Sequence, residues 1–396
     1  MNTDQPPHII LHLSLIDGIG PTAIERIISF LGRENLDRVY TLTHSDFVRG
    51  VGLGEKQTAK IMGGLADTSL LEQELELIQK HGISWAICHE KEYPALLTTI
   101  HMPPTVLYWK GTVPGHNTIA VVGSRDANAY GRMAIDTLVP PLVQHGWAII
   151  SGGARGADTM AHEKALDEGG ITVAVLGSGL LRPYPPENTQ LFEEIIARGG
   201  AVVSAFPALM RPLAENFPAR NRVIAGLSRG CIVVQAAAKS GARITADYCL
   251  SQGREVFAVP GPINDSLSAG CHELIAQGAK LTAKAADVLG EFGIEMQQDP
   301  IINPGVQAPT GRQNYGKRQR AGAGDQSQQK LFTPAFYAEP VDPAEALLLD
   351  ACGHASTVDE LLEATGLPLI QLSKMLFDMQ IKGKLSQNMA GLWEKQ

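Results

Sequence analysis

From Asn117 onward, short apolar runs alternate with stretches of helical periodicity, and this alternation restricts the possible fold more than any other feature. The runs are residues 119–122, 148–150, 172–176, 201–203, 231–234 and 256–259. Helices are predicted between and after them, near residues 130–145, 158–168, 187–198, 217–228, 241–252 and 269–277. Continuous apolar strands separated by helices are typical of a parallel sheet that is covered on both faces. The pattern therefore predicts an α/β domain with a Rossmann-like, doubly wound parallel sheet.

Four blocks differ in pattern and predict the domain organisation. Residues 1–111 are predicted to form a helical domain of helix-hairpin-helix or SAM-like type, and residues 112–297 the Rossmann-like domain. Residues 298–340 are rich in Gly, Gln and charge without periodicity, which predicts a flexible linker. Residues 341–396 predict three helices and two short strands, the layout of a winged-helix domain.

The first block contains two similar glycine turns. Gly18-Ile19-Gly20 and Gly52-Leu53-Gly54 each precede an amphipathic stretch, at residues 23–30 and 57–62. Such turns can present backbone N–H groups to a phosphate, as in helix-hairpin-helix elements. The alternative is a helical-bundle turn without a ligand, and the acidity of this block favours that alternative.

Composition excludes several classes of protein. With 44% hydrophobic and 19% charged residues the chain of 396 residues is a folded protein, not a disordered one. No apolar stretch of about 18 residues predicts a membrane span, and the N-terminus does not resemble a secretory signal, so a cytoplasmic location is expected. The five cysteines form no CxxC pair, so neither a disulfide framework nor a metal site is predicted, and no cofactor is expected.

The net charge of −8 argues against a protein that coats DNA through bulk positive charge. Residues 112–297, however, contain 11 Arg and only 4 Lys. Arginine binds phosphate with a fork of donors and stacks on bases, although it is equally common in ion-pair networks.

Glycine and arginine recur where the predicted strands end. The loops are residues 123–125, 151–158, 177–179, 216–222 and 239–243. In an open parallel sheet, ligands bind beyond the carboxyl ends of the strands, and bare glycines let a phosphate approach backbone N–H groups. The sequence therefore predicts an anion site at this edge.

The motifs of familiar enzymes are missing from this edge. Neither G-x-G-x-x-G nor the phosphate loop G-x-x-x-x-G-K-[ST] is present. Ser124 and Ser178 have no evident His partner, His162 is predicted to be a surface or packing histidine, and Asp158 an N-cap or loop organiser. We therefore expect a protein that is not an enzyme.

Several motifs together resemble one known family. They are Val122-Gly123-Ser124-Arg125, the run from Ser151 to Asp158, Tyr184-Pro185-x-x-Asn188, Asn216-Phe217-Pro218-x-Arg220-Asn221-Arg222, Ser240-Gly241-Ala242 and the run from Gly253 to Gly261. Residues 119–289 thus resemble the DNA-processing protein A (DprA/Smf) family. Ala219 and Pro186 depart from it, because relatives often carry a basic residue at those positions.

The resemblance implies a single-stranded DNA-binding protein that protects incoming DNA and helps load the RecA recombinase in natural transformation and homologous recombination. It also implies a homodimer without a central catalytic activity. The DNA-binding residues expected from the strand-end loops and from this resemblance are Gly123, Ser124, Arg125, Gly152, Gly153, Arg155, Gly156, Gly177, Ser178, Gly179, Asn216, Phe217, Arg220, Asn221, Arg222, Lys239 and Arg243.

Two other functions stay open at this point. The first is an enzyme that processes nucleotides or sugar phosphates on a Rossmann-like fold, which turnover of mononucleotides would support. The second is a protein-interaction scaffold with a vestigial pocket, which failure to bind nucleic acid would support.

Overall fold

The computed structural model describes residues 6–294, 343–352 and 358–367, together with short pieces between residues 372 and 395. The chain divides into two compact units, Met1–Pro304 and Gly305–Gln396. The predicted linker, residues 298–340, lies outside the described residues.

A nine-stranded sheet forms the centre of the first unit. Its strands are β1 (Ser84–Ile87), β2 (Val106–Gly111), β3 (Thr118–Val122), β4 (Ala148–Ser151), β5 (Thr172–Leu176), β6 (Ala201–Ser204), β7 (Gly230–Val233), β8 (Glu255–Ala258) and β9 (Lys280–Leu281). Their order across the sheet is β1-β2-β6-β5-β4-β3-β7-β8-β9. The strands from β6 to β9 in this order run parallel, whereas β2 pairs antiparallel with both β6 and β1.

Helices cover both faces of the sheet. They are α1 (Pro6–Leu15), α2 (Pro21–Leu31), α3 (Glu55–Leu65), α4 (Ser69–Lys80), α5 (Ala95–Thr98), α6 (Ala129–Gln144), α7 (Ala157–Asp167), α8 (Thr189–Ala197), α9 (Asn216–Gly226), α10 (Gly241–Ser251), α11 (Ala269–Ala276) and α12 (Ala285–Leu289). Side chains of α6, α7 and α12 share one apolar cluster with the sheet, and those of α9, α10 and α11 share another. The N-terminal helices share a third with α8 and with β2, β5 and β6.

The predicted Rossmann-like core is confirmed. Each of the six apolar runs forms a strand, β3 to β8, and each of the six predicted helices is present, as α6 to α11. In chain order, β4, β5 and β6 follow on one side of β3, whereas β7, β8 and β9 lie on its other side. The strand order therefore reverses between β3 and β7, and the crevice at this point is where ligands of doubly wound sheets bind.

The prediction of helices throughout residues 1–111 is wrong for two segments, β1 and β2. The backbone of β2 pairs with β6 along residues 201–204, so this edge of the parallel sheet is covered by the antiparallel pair β1 and β2. The side chains of Val106, Leu107 and Tyr108 are buried, and their apolar contacts fix β2 against the sheet. The boundary predicted after residue 111 falls between two strands of this one sheet.

The second unit contains α13 (Pro343–Ala351), α14 (Val358–Thr365), β10 (Leu385–Gln387) and β11 (Trp393–Lys395). The two strands pair antiparallel, and Leu348, Leu361, Leu385 and Trp393 lie in one apolar cluster. Most of the third helix predicted for the winged-helix domain lies outside the described residues, so that domain stays a prediction. In the part of the chain that the structure describes, no helix is long and apolar enough to cross a membrane.

Candidate nucleic-acid interface

A pocket of about 470 Å³ lies where the strand order reverses. Its walls come from the end of β3, the first turns of α9 and the loop that leads into α10. The predicted residues that line it are Gly123, Ser124, Arg125, Phe217, Arg220, Asn221 and Lys239. The topology thus brings the end of β3, which lies about 90 residues earlier in the sequence, to the same cavity as α9 and the loop into α10.

An aromatic ring with two cations forms one wall of this pocket. The guanidinium carbons of Arg125 and Arg220 lie 5.5 Å and 5.7 Å from the centre of the Phe217 ring. The ring of Tyr184, which is itself exposed, meets Phe217 edge-on with 6.0 Å between centroids. Cations at this distance from an aromatic face are attracted by its quadrupole, so Phe217 and the two arginines form one positively charged cluster with Tyr184 at its edge.

The two arginines of this wall differ in what their other donors do. Arg220 is 5% exposed, and its guanidinium donates to the carbonyls of Val175, at 2.8 Å, and of Gly152. Burial lowers the pKa of Arg220, while the nearby Asp158 carboxylate opposes that shift. Arg125 is exposed, and among the described residues its guanidinium meets the Phe217 ring. Arg220 therefore fixes the wall, whereas Arg125 has donors available to a ligand.

The loop between β4 and α7 closes the floor of the pocket. The Asp158 carboxylate accepts a hydrogen bond from the Ala154 backbone N–H at 3.3 Å, which confirms its predicted role as a loop organiser. Burial raises the pKa of Asp158, and the Arg220 cation opposes this rise. Gly156 has a φ of +73°, and a Cβ there would lie 2.4 Å from the carbonyl oxygens of Ser124 and Arg125. Glycine is thus required for the close contact that positions Arg125.

The opposite wall is the start of α10. Ser240 caps this helix, since its hydroxyl accepts from the Ala242 backbone N–H at 3.2 Å. Gly241 and Ala242 line the pocket, so the positive end of the helix dipole faces the cavity. Lys239, just before the cap, is exposed. An anion in the pocket therefore meets two exposed cations, Arg125 and Lys239, and a helix N-terminus.

Other predicted residues lie beside the pocket or support it. Gly152 and Arg155 line a small adjoining recess with Tyr184, and Arg155 is paired there with Glu187, which raises its pKa. The remaining predicted positions that face the packed interior are Gly153, against Phe192, Gly177, against Phe217, Gly179, against the carbonyls of residues 207 and 208, and Ser178, which is fully buried.

Three predicted residues face elsewhere. Arg243 donates to the Ala238 carbonyl and is paired with Glu273, so its charge is neutralised outside the pocket lining. Asn216 and Arg222 lie on the other face of α9 and line a different cavity. Conversely, the predicted set of binding residues omitted Tyr184, although its Tyr-Pro motif and its position after β5 could have indicated that it lies at the pocket.

The described residues of the pocket provide binding groups more clearly than catalytic ones. His162 is fully buried, shares a hydrogen bond with the Thr172 hydroxyl at 2.7 Å, and burial lowers its pKa to about 3. It is therefore a neutral packing histidine. In the described ranges, no group of three or more His, Cys, Asp or Glu side chains is placed to hold a metal ion.

The two glycine turns of the helical block precede α2 and α3, as predicted, and have nearly equal φ angles, +77° at Gly18 and +76° at Gly52. Each turn is contacted by a basic residue from the helix that follows the other turn. Lys60 pairs with Asp17 at 3.0 Å, and Arg26 donates to the Gly52 carbonyl at 3.1 Å. The basic groups nearest these turns are thus engaged within the protein.

Comparisons with known proteins agree with this architecture. The family profile described as "DNA recombination-mediator protein A" matches residues 84–293. The chain is 32% identical to Protein Smf of Synechocystis over 94% of this chain and 95% of that one. It is 44% identical to the DNA processing protein DprA of Streptococcus pneumoniae over 50% of this chain and 71% of the relative.

The solved structure of DNA processing protein A from Streptococcus pneumoniae superposes with a TM-score of 0.63 at 35% identity. It covers 72% of this chain and 98% of that one. The resemblance seen in the sequence motifs is therefore confirmed. The chain belongs to the DNA recombination-mediator protein A family, whose members include the proteins named DprA and Smf.

Proposed function

We propose that this protein binds single-stranded DNA in the pocket between β3 and β7, and that it does so as a mediator of recombination. The observation that carries the proposal is the Phe217 ring with the guanidinium groups of Arg125 and Arg220 on it. Stacking of a base on such a surface is worth about 1–3 kcal/mol and tolerates any sequence, because every base has a π-face.

The geometry favours single strands over duplexes. A base can stack on Phe217 only if a face of that base is free. In a duplex, neighbouring bases cover both faces of each base. The exposed cations Arg125 and Lys239 take the phosphates, so affinity falls as salt rises. The pocket is concave and small, which suits a few nucleotides rather than a double helix.

The mediator role includes two partners, the RecA recombinase and a second copy of this chain, in the cytoplasm during natural transformation and homologous recombination. The family description supports the mediator part. A homodimer that holds one strand at two pockets gains affinity through effective concentration, which compensates for the net charge of −8. RecA filament growth on single-stranded DNA, measured with and without this protein, tests the loading step.

An enzyme acting on nucleotides or sugar phosphates is the second candidate, because Asp158 lines the pocket and has a raised pKa. Asp158 also accepts a hydrogen bond within the loop between β4 and α7, and in that role it needs no substrate. Turnover of mononucleotides that disappears in Asp158→Asn would favour the enzyme.

The proposed function is tested with matched single-stranded and duplex oligonucleotides. Wild type is expected to prefer the single strand. Phe217→Ala weakens that binding about 5- to 150-fold because one stacked base is lost, while Phe217→Trp retains it. Phe30→Ala removes a 44% exposed ring of the helical block and serves as the control, with unchanged affinity. Equal affinity for duplex, or no effect of Phe217→Ala, contradicts the proposal.

A further inference from the structure

A second cavity, of about 380 Å³, lies in the same unit between the first glycine turn and α9. Its walls are mostly apolar. They include Ile16 and Ile19 from the turn, Pro104 before β2, and Phe206 and Met210 from the loop after β6. This volume falls within the range of cavities that hold small ligands, which starts at about 300 Å³.

The helix α9 separates this second cavity from the pocket at the β3–β7 reversal. Its residues divide between the two sides, because positions three or four apart share a helix face. Those that line the first pocket are Phe217, Pro218, Arg220, Asn221 and Ile224. Those facing the second cavity are Asn216, Ala219, Arg222 and Val223.

Arg222 is a cation that lines the second cavity and has one donor without a partner. Its Nε–H group is buried and has no acceptor among the described residues. A buried donor without a partner is unfavourable, and a guanidinium is best satisfied by an anion with several oxygens. Asp17 also lines the cavity, but it is paired with Lys60 at 3.0 Å. The group that lacks a partner is thus the cation.

We propose that the second cavity binds another nucleotide of the same DNA strand, with the phosphate on Arg222 and the base between the apolar walls. This inference rests on the proposed function. The strand leaves the first pocket at Phe217 and passes around the N-terminal end of α9. The segment before this end, residues 211–215, is exposed, so the route is open to solvent.

The test uses strand length. A helix with its side chains is about 10–12 Å across, so a dT3 oligonucleotide occupies the first pocket alone, whereas dT12 reaches both sites. Arg222→Gln is expected to weaken dT12 binding about tenfold and to lower its salt slope by about 0.7. Binding of dT3 is unchanged.

Ala219→Phe fills the cavity without removing a charge, and it is expected to have the same length-dependent effect. Arg198→Gln is the matched control, since Arg198 forms an exposed ion pair with Glu194 on α8. Its expected effect is none for either oligonucleotide. Urea midpoints of all variants establish that they are folded.

Two results would overturn the inference, and a third calls for one further measurement. Equal weakening of dT3 and dT12 by Arg222→Gln would mean that Arg222 acts on the first pocket. Unchanged dT12 binding in both Arg222→Gln and Ala219→Phe would leave the cavity without a DNA role. If wild type binds neither oligonucleotide, the proposed function fails. Binding of thymidine monophosphate to the Arg125→Ala variant then tests whether the second cavity is a nucleotide site. Its loss on adding Arg222→Gln would support a nucleotide site, and its absence from the start would overturn it.

Discussion

The helical block and the pocket between β3 and β7 both contain glycine turns ahead of helices, yet they differ in what surrounds the turns. In the helical block, Lys60 is paired with Asp17, and Arg26 donates to the Gly52 carbonyl. In the pocket, Arg125 is exposed and lies on the Phe217 ring.

The difference shows that a glycine turn makes a backbone approachable but does not make a binding site. The site also needs cations that are not already neutralised and a surface on which a base can stack. The pocket has both, with Phe217 held in place by the buried Arg220. The helical block has neither at its two turns, which favours the bundle-turn interpretation there.

The largest expected effect is the loss of stability on replacing Arg220. Arg220→Ala leaves the carbonyls of Gly152 and Val175 without their donor and the buried Asp158 without its opposing charge. The free energy of unfolding should fall by about 3–5 kcal/mol. Urea denaturation measures it, with Lys60→Ala as the control. A loss below about 1 kcal/mol would mean that Arg220 is not a structural part of the wall.

The next effect is acid sensitivity of the sheet domain through His162. Burial lowers the pKa of His162 from 6.5 to about 3, so between these values the unfolded chain binds a proton that the native state does not. Stability therefore falls as pH drops below 6.5, by about 1.4 kcal/mol per pH unit at most. His162→Gln should flatten this part of the pH profile, whereas His145→Gln, at an exposed position, should not. An unchanged slope in His162→Gln would contradict the assignment.

The smallest expected effect belongs to the helical block. Asp17 is 99% and Lys60 51% exposed in their side chains, so their ion pair is screened by water. Asp17→Asn should change the free energy of unfolding by less than about 1 kcal/mol. It should also leave DNA affinity unchanged. A clear gain in affinity would show that this pairing keeps the first turn from acting as a DNA site.

The sequence predicted the sheet well where strands are buried on both faces, since such strands are continuous apolar runs. It failed at β1 and β2, which were assigned to a helical block. The sequence of β2 could have indicated a strand, because Val106, Tyr108 and Trp109 are β-favouring residues that follow two prolines. The local sequence does not indicate the antiparallel pairing of β2 with β6, which joins residues at least 90 positions apart.

The site was predicted in outline, and the errors in that prediction have physical causes. Arg220 and Arg222 were both assigned to the pocket, but two residues along a helix differ by about 200° in direction, so they face opposite sides of α9. Helical geometry alone would have separated them. The pairing of Arg243 with Glu273 joins α10 to α11 and cannot be derived from local pattern.

The most direct test of the account is single-stranded DNA binding across a salt series by wild type, Arg125→Ala and Lys60→Ala. Arg125→Ala is expected to weaken binding about tenfold and to lower the slope of log affinity against log salt by about 0.7, because one phosphate contact is lost. Lys60→Ala should match wild type in both quantities. Unchanged binding by Arg125→Ala together with weakened binding by Lys60→Ala would contradict the account and place the DNA on the helical block.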